Sequence, residues 1–288
     1  MEAVDLLKKV RKIEIKTRGL TNQVFAGEYH SAFKGKGMTF SEVREYQYGD
    51  SIRNIDWNVT ARFNKPFVKI FEEERELTVI ILIDVSASKV FGTQVQYKHD
   101  LITELAAVLS FSAIQNNDKI GVILFSDVVE KFIPPKKGKK HILRIIRDLL
   151  EFEPQHKGTN IAGALEFFTN AIKKKSTAFL ISDFIDTGYE KSLQIANNKH
   201  DIIAIKVYDQ RETNLPNVGL LKLIDAETGQ CKWVDTSNRK VREEYEKSWK
   251  KSEAYLKGIF AKYGVDNISV NTNEDYIKPL IGLFKRRG

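Results

Sequence analysis

Five residues of this chain have the types and spacing to hold a hard divalent cation. Asp84-Val85-Ser86-Ala87-Ser88 sets one carboxylate and two hydroxyls at alternate positions. Oxygen donors so arranged can wrap a small ion such as Mg²⁺, which takes octahedral oxygen ligation. Alone the pattern is weak, since three fixed positions recur by chance in roughly one of 30 chains of this length. Two further elements strengthen it. Lys157-Gly158-Thr159-Asn160 precedes a helical pattern and presents Thr159 as another hydroxyl, and Ser182-Asp183 closes an apolar run with a second carboxylate. The competing reading has Asp84 and Asp183 merely capping the helices that follow, with the serines as turn residues.

The elements around these residues decide whether they can meet. Thr78 to Ile83 is apolar at successive positions, as a strand buried on both faces must be. A helix over about Gln96 to Gln115, with Leu101, Leu105, Val108, Leu109 and Ser112 at helical spacing, should lie against it. Strands follow at Ile120 to Phe125 and Val128 to Ile133, the second an antiparallel edge strand whose pairing Pro134-Pro135 should end. Helices are expected over about Lys139 to Glu151, Asn160 to Lys174 and Tyr189 to Asn198, and strands at Ala178 to Ser182 and Ile202 to Val207. A hairpin (Leu220 to Asp225 with Cys231 to Asp235) and a long helix from Asn238 to Tyr263, capped by Gly264, complete the pattern. Strands alternating with helices predict an α/β fold with a mostly parallel sheet flanked by helices. In such sheets ligands bind beyond the carboxyl ends of the strands, where Asp84 and Asp183 fall.

Asp84-x-Ser86-x-Ser88, Thr159 within Gly-Thr-Asn-Ile-x-Gly-Ala-Leu, and Asp183 together resemble the metal-ion-dependent adhesion site of von Willebrand factor A domains. The resemblance implies a Rossmann-like fold in which the serines and threonine surround Mg²⁺ or Mn²⁺, with the aspartates bound directly or through water. With two carboxylates, such an ion stays electron-poor and can accept a carboxylate from a partner.

Residues 1–76 differ in character, being less periodic and rich in charged and aromatic residues, and read as an appended N-terminal module before an α/β domain over 77–288. Gly35 to Asp50, then Arg53-Asn54-Ile55-Asp56-Trp57 and Thr60-Ala61-Arg62, resemble the bacterial domain of unknown function 58 family, in which this segment precedes a von Willebrand factor A fold. That resemblance implies association with MoxR-type AAA+ ATPases. Arg44, Glu45, Asp50, Arg53, Asp56, Arg62, Glu72, Glu74 and Arg75 are expected to form an ion-pair network, with Tyr46 and Trp57 as packing anchors. Such a network either braces the module or, through Arg44, Glu45, Asp50, Arg53, Asp56, Trp57 and Arg62, meets a partner.

Composition narrows the remaining classes. The 288 residues are 42% hydrophobic, enough for one large domain and an appendage. The uncharged run Leu77 to Ile83 is far short of the about 20 residues a membrane-spanning helix needs. The start, Met1-Glu2-Ala3-Val4-Asp5, carries acids where a signal peptide carries bases, so the cytoplasm is the expected compartment. Cys231 has no second cysteine to pair with, and the five histidines show no zinc-site spacing. The formal charge of +8 lies in short lysine patches and in helices that mix Lys with Glu, which reads as solvated surface more than as a nucleic-acid face.

An enzyme is the main competitor. Phosphotransfer of the haloacid dehalogenase type needs a second carboxylate two residues after the first, where Ser86 stands. Neither a P-loop nor a G-x-G-x-x-G dinucleotide site follows a strand, Gly35-Lys36-Gly37 leading into Met38, and the G-x-S-x-G elbow is missing. The residues therefore favour a non-enzymatic, Mg²⁺- or Mn²⁺-dependent protein-interaction module, and the family resemblance implies that it is an adaptor or co-chaperone-like partner of a MoxR-type AAA+ ATPase or its client. A metal-dependent hydrolase and an RNA-binding protein of the same fold are the alternatives.

Overall fold

The computed structural model describes residues 38–73, 77–86, 98–224 and 230–287. Ser88, Glu74, Arg75 and Gly35 to Gly37 lie outside the described residues. The N-terminal elements are β1 (Met38–Glu45), a 3₁₀ turn (Ile52–Asn54), α1 (Trp57–Phe63) and β2 (Phe67–Glu73). Then come β3 (Thr78–Asp84), α2 (Lys98–Gln115), β4 (Lys119–Phe125), β5 (Val129–Lys136), α3 (Lys139–Glu151) and α4 (Ile161–Ala171). They are followed by β6 (Thr177–Ser182), α5 (Glu190–Lys199), β7 (Asp201–Tyr208) and α6 (Gln210–Thr213). The chain closes with β8 (Leu220–Ile224), β9 (Cys231–Asp235), α7 (Arg239–Tyr263), β10 (Asp266–Asn271) and α8 (Ile277–Arg287).

A six-stranded sheet in the order β10-β7-β6-β3-β4-β5 forms the centre, parallel throughout except for β5 at one edge. The expected mostly parallel α/β arrangement is thus present. The continuous apolar run of β3 is explained by two cores. Val79, Ile81 and Ile83 pack under α2, α3 and α8, whereas Ile80 and Leu82 pack under α4, α5 and α7. On α3, Ile142, Ile145, Ile146, Leu149 and Leu150 are buried at the i, i+3, i+4, i+7, i+8 spacing that gives a helix one apolar stripe. Each such side chain contributes about 1.5–3 kcal/mol of burial, so the sheet edge above is held by a stiff base. Gly264 caps α7 in the left-handed region, φ 62°, as expected, its N–H bonding back to Phe260 and Ala261.

Two expectations need correction. Pro134 and Pro135 do not end the edge pairing: β5 runs through them, and Ile120 still pairs with Lys136. The register shifts between Ile120 and Val122, opposite the prolines, so the bulge takes their missing N–H groups off the ladder. Gly121 makes this possible, because a Cβ there would stand 2.9 Å from both the Ile133 carbonyl oxygen and the Pro135 nitrogen. Beyond Gly264 the chain adds β10 to the other edge of the sheet, and α8 packs against it. Neither element was anticipated, since β10 buries few apolar residues, Ile268 and Val270 among them, between polar neighbours. The β8–β9 hairpin forms as read, as a separate two-stranded sheet, and β1 and β2, which the sequence reading did not mark as strands, pair as another.

Gly121→Ala is therefore expected to destabilise the protein by about 1–3 kcal/mol, the usual cost of overpacking. Urea denaturation checks this, and an unchanged midpoint would mean that the bulge relaxes freely.

Candidate metal centre

Asp84 is the last residue of β3 and only 3% exposed. Strand alternation places it on the same sheet face as Ile80 and Leu82, and the neighbouring strand puts Ser182 beside it. The Ser182 hydroxyl donates to Asp84 Oδ2 at 2.7 Å, and the Ser86 N–H donates to Oδ1 at 3.0 Å. Ser182 is held in turn by the Phe184 N–H, which donates to its Oγ at 3.0 Å. Ser86 is itself buried. Burial first, and then the charge of Asp183, push the Asp84 carboxyl up to about 6, against the downward pull of the Ser182 and Ser86 hydrogen bonds. A carboxylate pair in this position favours a cation between its members.

Asp183 follows β6 directly and is 8% exposed. The next residue, Phe184, is bulky yet adopts a left-handed φ of 59°, a conformation that costs about 1–3 kcal/mol. This sharp turn lets the Ile185 N–H donate to Asp183 Oδ1 at 3.2 Å. The other oxygen, Oδ2, lies 3.3 Å from Lys98 Nζ at the start of α2, and the same ammonium lies 2.6 Å from Glu212 Oε1 on α6. Lys98 is 2% exposed, and Asp183 and Glu212 raise its pKa despite the opposing desolvation. Neither Lys98 nor Glu212 was singled out from the sequence. The available signal was a lysine one turn ahead of Leu101 and Ile102, at the head of a helix that is mostly buried.

Thr159 stands on the loop between α3 and α4, and this loop is tied to the same end of the sheet. The Asn160 N–H donates to the Ser126 carbonyl at 2.8 Å, just past β4, and the Ile161 N–H donates to Asp186 Oδ2 at 2.8 Å. Asn160 caps α4 by accepting from the Gly163 N–H at 2.8 Å, and a Cβ at 163 would crowd the Asn160 side chain at 3.0 Å. That contact explains the Thr-Asn-x-x-Gly spacing. Asp84, Ser86 and Asp183 are thus brought together, Thr159 is placed on the adjoining loop, and Ser88 lies outside the described residues.

The donor chemistry fits a hard divalent ion. Among the described residues, Asp84, Asp183 and Glu212 set three carboxylates, the first two of them buried, against the ammonium of Lys98, leaving an excess of negative charge. Among the described residues no cluster of three or more His, Cys, Asp or Glu side chains converges as a metal site. A cation here would rest on two carboxylates and on hydroxyls, a donor set suited to Mg²⁺ or Mn²⁺.

Among the described residues, the N-terminal charged side chains make separate local pairs, Glu74, Arg75 and the side chain of Glu72 lying outside those described. Arg44 meets Asp50 through two hydrogen bonds, 2.9 and 2.7 Å, and Asp50 also accepts from the Gln47 N–H, so this pair staples a local turn. Glu45 pairs with Lys65 at 3.3 Å on the surface. Asp56 caps α1 and lies 3.4 Å from Lys69. Arg53 and Arg62 are exposed and form no ion pair with a described residue. Trp57 is 67% exposed and so is not a packing anchor. The reason is local: Asp56 caps the helix that Trp57 begins, and the first turn faces solvent.

Comparison with known proteins places this chain in a family. It belongs to the DUF58 family, whose profile, described as "Protein of unknown function DUF58", matches residues 42–255. An uncharacterized protein of Mycobacterium tuberculosis is 26% identical over 284 residues, covering 97% of this chain and 89% of the relative. One of Mycobacterium avium is 23% identical over 158 residues, 54% of this chain and 93% of its own. Among solved structures, the conserved hypothetical protein BatB from Bacteroides thetaiotaomicron is similar with a TM-score of 0.48 and 17% identity, over 73% of this chain and 98% of its own. The SpRpn10 VWA domain is similar with a TM-score of 0.42 and 12% identity, over 73% and 95%. Among the described residues no helix is long and apolar enough to cross a membrane.

Asp84→Asn tests the electrostatics. A carboxyl raised from 3.8 to about 6 in the folded state carries a cost on the order of 3 kcal/mol once ionised. Because the folded value is the higher one, wild-type stability falls as pH rises from about 4 to about 6 and is level above that. Metal-free Asp84→Asn should therefore melt higher than wild type at pH 7, with the advantage shrinking on acidification below pH 6. Melting curves from pH 4 to 8 in chelator check this, and a lower melting point for the variant at pH 7 would contradict it.

Proposed function

For a chain of the DUF58 family, we propose a non-enzymatic, metal-dependent protein-interaction module. Asp84, Ser86, Ser88, Thr159 and Asp183 would hold one Mg²⁺ or Mn²⁺ with a coordination position left for a carboxylate of the partner. The observation that carries this reading is the pairing of two buried carboxylates, Asp84 and Asp183, at the carboxyl ends of adjacent parallel strands, braced by Ser182 and Ser86. When bound, the ion supplies Lewis acidity toward an anionic ligand. The chain's own residues do the rest: Ser182 orients Asp84, the left-handed turn at Phe184 presents Asp183, and the Asn160 cap fixes the loop of Thr159.

The partner we favour is a MoxR-type AAA+ ATPase or a client delivered to it. The sequence carries no P-loop, so nucleotide-driven work would come from the partner. One metal–carboxylate bond gives little specificity, which must come from surrounding surface. Exposed Arg53, Trp57 and Arg62, which brace nothing among the described residues, are the candidates for that surface. Cytoplasmic residence accords with such a partner.

Calorimetry with MgCl₂ is expected to show one site in the wild type and none in Asp84→Ala. Ser182→Ala, which removes only the hydroxyl that orients Asp84, should bind about 10–100-fold more weakly. Unaltered Mg²⁺ binding by Asp84→Ala would remove the metal assignment.

The ATPase should be retained by immobilised protein in Mg²⁺ and released by EDTA. Arg53→Ala and Arg62→Ala should weaken that capture while changing stability by less than about 0.5 kcal/mol. Equal capture in EDTA would leave a partnership without a metal bridge. ATP turnover by the purified chain that depends on Asp84 would instead favour the hydrolase.

A further inference from the structure

Lys98 is buried in a place where an ordinary helix would carry an apolar residue. It opens α2, whose Leu101, Ile102, Leu105 and Ala106 fill the core, and its ammonium reaches past them to the sheet edge. An ammonium is rarely sequestered unless paired, because its desolvation is costly. Among the described residues it has two partners at unequal distance. Glu212 Oε1 lies 2.6 Å away, within the range of a strong charge-assisted bond, whereas Asp183 Oδ2 at 3.3 Å lies beyond it. The ammonium is thus shared, with the shorter bond to Glu212 and the longer one to Asp183. Glu212 is also fixed from behind, since its Oε2 accepts from the Asp209 N–H at 3.0 Å in the capping box of α6. Asp209 in turn accepts from the Thr272 hydroxyl at 2.6 Å, which ties α6 to the end of β10.

From this arrangement we infer that Lys98 is a positioning residue for the cation site: its ammonium keeps Glu212 out of the metal shell, holding the site at two carboxylates so that it stays open to a carboxylate from the partner. The inference rests on the metal-dependent reading given above and adds the group that sets the site's selectivity. Were the ammonium absent, Glu212 and Asp183 would face each other across the space it fills, and the Glu212 carboxylate would be drawn toward an ion held by Asp183. A third carboxylate on the ion would leave less need for an outside ligand. The ammonium also repels the incoming ion. Both effects run in one direction, so Lys98 lowers the intrinsic affinity of the metal site.

The sign of this effect separates it from a structural role, in which loss of Lys98 would weaken metal binding along with the fold. Binding of Mn²⁺ to the full chain can be counted from the loss of the free-ion electron paramagnetic resonance signal, with no partner present. Lys98→Met is expected to bind Mn²⁺ at least about tenfold more tightly than wild type, since it removes a unit charge within a few ångströms of the ion. Glu212→Gln, which leaves Lys98 to pair with Asp183 alone, is expected to bind about tenfold more weakly, and it remains informative if Lys98→Met does not fold. Equal or weaker binding by folded Lys98→Met, or equal or tighter binding by Glu212→Gln, overturns the role of Lys98 while wild-type binding stands. Failure of wild type itself to take up Mn²⁺ overturns the metal reading and this inference with it.

Discussion

Asp84 and Asp183 are buried next to one another at the end of two adjacent parallel strands, and most of what is distinctive in this protein answers that constraint. Burial first, and then the neighbouring charge of Asp183, raise the cost of ionising Asp84, and its pKa rises accordingly. The surroundings offset the cost piece by piece. Ser182 and the Ser86 N–H bond Asp84, Ile185 N–H bonds Asp183, and Lys98 brings one positive charge that it shares with Glu212. These groups stabilise the pair without neutralising it. Negative charge left over among these described oxygen donors is the physical basis for expecting a cation.

The rigid base beneath matters as much as the site. The four inner strands are buried on both faces, and helices pack on each side of them, the kind of support that a coordination sphere needs. At the edge where β4, β6 and β7 end, Asn160 and Ile161 tie their loop to Ser126 after β4 and to Asp186 after β6, and Thr272 after β10 bonds Asp209 after β7. The N-terminal hairpin and α1 form a different kind of structure, with local pairs and exposed aromatic and arginine side chains, as suits a surface that contacts something else.

Much of this was legible in the sequence, for a definite reason. Strands buried on both faces leave uninterrupted apolar runs, so β3, β4, β6 and β7 could be located, and with them the positions of Asp84 and Asp183. What was not legible depends on contacts distant in sequence. Lys98 and Glu212 are separated by more than a hundred residues and meet only because α2 and the end of β7 converge on one edge. The continuation of β5 through Pro134 and Pro135 depends on a glycine in the facing strand, and β10 owes its place to pairing with β7 rather than to its own polar-rich sequence. Trp57 resembled a packing anchor by residue type, but its position at the start of a capped helix left it facing outward.

The central claim concerns a cation at this edge, and a crystal structure of the full chain grown with MnCl₂, read by anomalous scattering at the manganese edge, addresses it directly. The account predicts one strong peak lying between Asp84 and Asp183, within about 2.0–2.4 Å of the nearest hydroxyl and carboxylate oxygens, with at least one position filled by water or by a carboxylate of a neighbouring molecule. Crystals that bind manganese elsewhere, or that leave this pocket without an anomalous peak at millimolar metal, would contradict it.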